Sequence, residues 1–124
     1  MNYVCVLDDV QSKITIQING KNYDNVYLKE FVLTNTTNKD YEKFNVIFTF
    51  DSSAKVLECH SESKEGFDWQ KISRHNSEEN KAVATVKNFN RKDTIKYIIR
   101  VANITNNKCD VIESGSIGFR IRKK

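Results

Sequence analysis

The chain has no proline, only four glycines, one tryptophan and three cysteines in 124 residues. Each scarcity excludes something. Without proline, sheet edges must be guarded by other means, and lysine and glutamate on outward strand faces are the available ones. The glycines form no phosphate-cradling loop, because Gly115 and Gly118 precede a strand pattern rather than a helix. Cys5, Cys59 and Cys109 are odd in number and show no CxxC spacing. That excludes an even disulfide framework and leaves zinc ligation unsupported. Reduced, buried thiols in a cytoplasmic protein are the expectation. No apolar run reaches the length of a membrane-spanning helix, and the start MNYVCVLDD lacks the basic and long apolar regions of a signal peptide.

One-signed charge is also missing from most of the chain. Arg120, Arg122, Lys123 and Lys124 are four of the 20 basic residues, and the remaining 16 balance 16 acidic ones. A nucleic-acid binder would spread a basic stripe over one face, so no nucleic-acid partner is expected. The four terminal charges are the candidate anionic contact. They read either as a solvated end or as the cytoplasmic flank of a membrane segment outside this sequence.

What is present in abundance is alternation. Ile14, Ile16 and Ile18 alternate with polar residues, as do Phe44, Val46, Phe48 and Phe50, then Ile95, Tyr97, Ile99 and Val101, then Ile117, Phe119 and Ile121. A period of two puts one set of side chains on one face of a pleated strand, which marks half-buried strands. Twelve Phe and Tyr residues supply bulk for a thin core.

Strands are expected at Tyr3–Leu7, Lys13–Ile18, Lys21–Tyr23, Val26–Thr34, Phe44–Phe50, Lys55–His60, Lys81–Lys87, Thr94–Val101, Cys109–Glu113 and Ser116–Arg122. Asn19-Gly20 is a strong hairpin turn, because both residues tolerate positive φ. Val26 and Leu28 fall out of phase with Phe31 and Leu33, which predicts a bulge near Glu30. The stretch Arg74–Asn80 holds no apolar residue and reads as a mobile loop. Turns every 8–12 residues or so indicate one sandwich or barrel domain over residues 1–124.

Two stretches resemble a family. "VYLKEFVLTNTTNKDYEKFNVIFTF" (26–50) is similar to the strand–Asn/Thr turn–strand unit of bacterial immunoglobulin-like sandwiches, and "VKNFNRKDTIKYIIRV" (86–101) resembles their later entry into a core strand. The closing "GSIGFRI" is similar to the final strand of such domains, which often accompany transmembrane helices. The resemblance implies an all-β, antiparallel immunoglobulin-like β-sandwich of about seven to nine strands. It carries no catalytic residue across, and the Cys…Trp…Cys spacing of antibody domains is lacking.

Chemistry-bearing groups are few. His60 follows Cys59, so on a strand the two point to opposite faces and cannot share a metal. His75 has no ligand-spaced partner, and the adjacent pairs Asp8-Asp9 and Glu78-Glu79 do not face one site across a cleft. No catalytic residue, metal or cofactor is expected. Phe67 and Trp69 share a face, and the sole Trp of a small sandwich is expected in the core. The alternative is a ligand site in which Phe67 and Trp69 stack on a base or sugar beside Lys64, Lys71 and Arg74. The favoured function is a non-enzymatic recognition or sensory module that presents loops or a sheet edge to a protein partner. The alternative is a receptor for a small ligand, a nucleotide or sugar.

Overall fold

A computed structural model describes residues 4–73, 79–105, 108–114 and 119–123. Among these there is no helix. Ten strands follow one another: β1 (Val4–Ile18), β2 (Lys21–Thr34), β3 (Tyr41–Thr49), β4 (Lys55–Ser63), β5 (Gly66–Trp69), β6 (Lys71–Ser73), β7 (Lys81–Phe89), β8 (Thr94–Ala102), β9 (Asp110–Ser114) and β10 (Arg120–Lys123). They form a six-stranded sheet, β10-β1-β2-β8-β4-β5, and a four-stranded sheet, β6-β7-β3-β9. The alternating residues meet between the sheets as predicted: Phe44, Val46, Phe48, Ile95, Tyr97 and Ile99 are all buried in one core.

The architecture departs from expectation in three ways. The ladder between β1 and β10 is parallel, pairing Val4 with Arg120 and Val6 with Arg122, whereas every other pairing is antiparallel. A period-two pattern reports faces and carries nothing about strand direction. Second, the four strands expected before Asn35 fuse into two long ones, while the segments at Gly66–Trp69 and Lys71–Ser73 add β5 and β6, bringing the count to ten.

Third, there is no bulge at Glu30. The β1–β2 pairing runs without interruption from Val6↔Thr34 to Ile14↔Val26, and the irregularity lies beyond it, before Ile16↔Tyr23. There Asn25 adopts a φ of 58°, the left-handed conformation that asparagine tolerates better than most residues. The phase conflict is resolved instead by turning a lysine inward. Lys29 shares the inner face of β2 with Phe31 and Leu33 and is 2% exposed. A buried ammonium must be hydrogen-bonded to be tolerated. Lys29 Nζ donates to Gln11 Oε1, its cross-strand neighbour, at 2.6 Å, and lies 5.9 Å from the centre of the Phe31 ring.

Cys5, Cys59 and Cys109 are all free and buried. Burial pushes each thiol from an ordinary value near 9 up to about 12, since the thiolate would lose its solvation. Below pH 9 both the folded and the unfolded chain keep these protons. Above it the unfolded chain releases them while the fold retains them, so stability should fall as the pH rises from 9 towards 12. Because the thiolate is the reactive form, alkylation at pH 8 should be slow in the folded chain and complete at all three sites after denaturation. Mass measurement of both samples checks this, and rapid labelling of the native chain would contradict the burial.

Candidate functional site

The end of the sandwich carried by β4, β5 and β7 gathers the features that packing does not absorb. β4 and β5 form a hairpin in which Ser63 pairs with Gly66 across Lys64-Glu65. Gly66 takes a φ of 101°, a conformation that side chains strain to adopt. The register sets Trp69 opposite His60, Asp68 opposite Ser61 and Phe67 opposite Glu62. Since Ser61 faces inward beside Tyr97, Asp68 also turns inward, and Phe67 and Trp69 turn outward.

Trp69 is therefore not a core residue. It is 60% exposed and Phe67 55%, because β5 is an edge strand and among the described residues no second layer covers the outer face of its sheet. The core expectation failed on strand position, which alternation cannot reveal. The two rings meet edge to face, with centroids 5.2 Å apart. Both rest on the imidazole of His60, at 4.5 Å for Phe67 and 5.5 Å for Trp69. His60 is 8% exposed, its Nε2 stands 3.6 Å from a Glu62 carboxylate oxygen, and its buried Nδ1 has no hydrogen-bond partner. Such aromatic contacts contribute about 0.5–1.5 kcal/mol each beyond the area they bury. They hold the exposed rings in place.

The basic residues expected beside this pair are dispersed. Lys64 bends away and pairs with Asp93 at 2.5 Å. Burial raises the Asp93 carboxyl, but hydrogen bonds from Lys64 and the Asn90 amide outweigh it and hold Asp93 below its usual range. Lys71 belongs to the other sheet, where it pairs with Val83. Arg74, like His75, lies outside the described residues, as does most of the loop expected at Arg74–Asn80. Cys59 and His60 do face opposite ways, inward against Ile99 and outward against Ile98.

The terminal charges do not form one patch. Arg120 and Arg122 are exposed, whereas Phe119 packs on Tyr41 and Phe44 and Ile121 rests against the core. Lys123 Nζ donates to the Cys109 carbonyl, tying β10 to the β9 end of the opposite sheet. Lys124 lies outside the described residues.

On its other flank β5 borders a cleft of about 510 Å³ between the two sheets. Sequence reading missed it, because it depends on how strands of the two sheets come to face one another. Gln70 spans its end: its amide donates to Ser61 Oγ at 2.8 Å and its Oε1 accepts the Thr85 N–H at 3.1 Å. Trp69 does not line the cleft; Tyr97 does, and the buried Tyr97 hydroxyl has no hydrogen-bond partner. Burial raises the Tyr97 phenol well above its ordinary value, with a further push from Cys59, so it stays a neutral donor.

Among the described residues no group of three or more His, Cys, Asp or Glu side chains is placed to hold a metal, and no helix is long and apolar enough to cross a membrane. Comparison with protein-family models and with curated proteins finds no match.

Proposed function

We propose that this domain is a non-enzymatic recognition module that docks a protein partner on the β5 edge. The observation that carries the reading is the pair Phe67 and Trp69, held side by side in solvent on an edge strand. Large aromatics fixed in exposed positions are the residues that most often dominate a protein interface. The outer edge of β5 pairs with no other described strand, so an extended segment can add to it through main-chain hydrogen bonds and set apolar side chains on the two rings. The immunoglobulin-like resemblance supports the same use, since sandwiches of that kind bind through loops and edges. The three free, buried cysteines favour a reducing, cytoplasmic setting, and the basic end is open to a tether at a membrane.

Trp69 is the only tryptophan, so its fluorescence reports this site without a label. Extended peptides selected from a random library on the immobilised domain should shift that emission to the blue. Trp69→Ala should weaken the selected peptides by about 2 kcal/mol or more, the loss typical of a central interface anchor. Methylating alternate peptide amides should also abolish binding. Binders indifferent to Trp69→Ala would move the partner site elsewhere.

A further inference from the structure

Charges on much of this surface are neutralised in pairs: Lys55 with Glu79, Arg91 with Asp40, Lys96 with Glu30 and Arg100 with Glu58. The cleft between β5 and β7 is different. Lys43 and Lys87 stand directly opposite one another across the β3–β7 ladder, and both line it. Like charges in directly opposed positions destabilise a sheet, and neither lysine has an ion pair or hydrogen bond among the described residues. The opposite wall carries Glu65 and Asp68, whose carboxylates are likewise unpaired among the described residues. Between these walls the fully buried Tyr97 forms part of the floor. A volume of about 510 Å³ lies within the range of roughly 300–1,000 Å³ usual for small-ligand sites.

We propose that this cleft binds a short free peptide as a zwitterion, its carboxylate between Lys43 and Lys87 and its ammonium against Glu65 and Asp68. Adjacent cross-strand lysines can converge on one anion, and that anion removes the repulsion between them. A charge of one sign alone would meet repulsion at the opposite wall, so the site selects against simple anions and simple cations. Phe67 borders both this cleft and the outer face, whereas Trp69 does not border the cleft, so Trp69→Ala tells the two sites apart.

The test is calorimetric titration of the intact chain with glycine, diglycine, triglycine and tetraglycine, and with the N-acetyl and C-amide forms of the best of them. One length should bind best, reading the distance between the walls. Blocking either terminus should weaken it by about tenfold, the factor that corresponds to one charge-assisted hydrogen bond. Lys87→Ala should erase the difference between the free and amidated carboxyl ends while leaving the penalty for acetylation. Asp68→Asn should do the reverse. Both positions are exposed, so neither variant threatens the fold, and Trp69→Ala should change nothing here. Absence of saturable binding by any length at millimolar concentration would overturn the proposal, as would binding that ignores both end groups. Neither result would touch the β5 docking reading, whose variant is Trp69→Ala.

Discussion

Phe48→Ala is expected to destabilise the fold by about 3–5 kcal/mol, the usual cost of removing a fully buried phenylalanine. Phe48 is completely inaccessible, and its ring packs on Phe31 at 5.0 Å and Tyr97 at 5.1 Å. Those two rings belong to β2 and β8 of the six-stranded sheet, while Phe48 belongs to β3 of the other. Alanine therefore opens a void at the junction of the two layers, and close-packed strands on both sides cannot collapse to fill it. The neighbouring strand supplies a control. Ile112 pairs with Ile47 on the outer face and is 55% exposed, so Ile112→Ala should stay within about 0.5 kcal/mol of the parent. Urea midpoints for both variants check the contrast. Similar shifts for the two would mean that the faces of β3 and β9 are reversed.

How far the fold was legible follows from what alternation can encode. It says which side chains of one strand share a face, and Phe44 to Phe50 and Ile95 to Val101 obey it without exception. It does not say which strand lies at an edge. Phe67 and Trp69 share a face as their spacing requires, yet that face is solvent, because among the described residues β5 has a neighbour on one side only. Nor does it allow for a polar residue held inside by a partner from another strand. Lys29 breaks the pattern of β2 because Gln11, 18 residues earlier, accepts its hydrogen bond. The cleft was least legible of all. Lys43, Asp68, Lys87 and Tyr97 lie on four strands of two sheets, and only the packing of the sheets brings them to one space. Adjacent in sequence, the turn residues after β2 could be read only as a polar connection, and they hold the second large effect.

Asn35→Ala should cost about 3 kcal/mol or more, which is exceptional for a polar turn residue and reflects several buried bonds lost together. Asn35 is buried at the end of β2. Its side-chain amide donates to the carbonyls of Lys39 at 2.9 Å and Phe89 at 3.1 Å. Its Oδ1 accepts from the Thr37 amide at 3.0 Å and the Thr37 hydroxyl at 2.6 Å. The backbone adds two bonds to the β7–β8 turn, Asn35 N–H to the Asp93 carbonyl and Lys92 N–H to the Asn35 carbonyl, both at 2.9 Å. One side chain thus closes its own turn and fastens it to the end of β7. Alanine keeps the backbone bonds but strands the Phe89 carbonyl and the Thr37 amide in buried positions, and an unpaired buried polar group costs about 1–3 kcal/mol. Two further variants separate the parts. Thr37→Val removes a hydroxyl that donates to Asn35 Oδ1 and accepts the Lys39 N–H, and should cost about 1–2 kcal/mol, less than Asn35→Ala. Asn35→Asp keeps the acceptor but loses the donor to both carbonyls, so it should be nearly as damaging as alanine. Chemical-denaturation midpoints for the three rank them. If Asn35→Ala proved no worse than Thr37→Val, the bond to Phe89 would contribute nothing, and the turn would be held by its backbone alone.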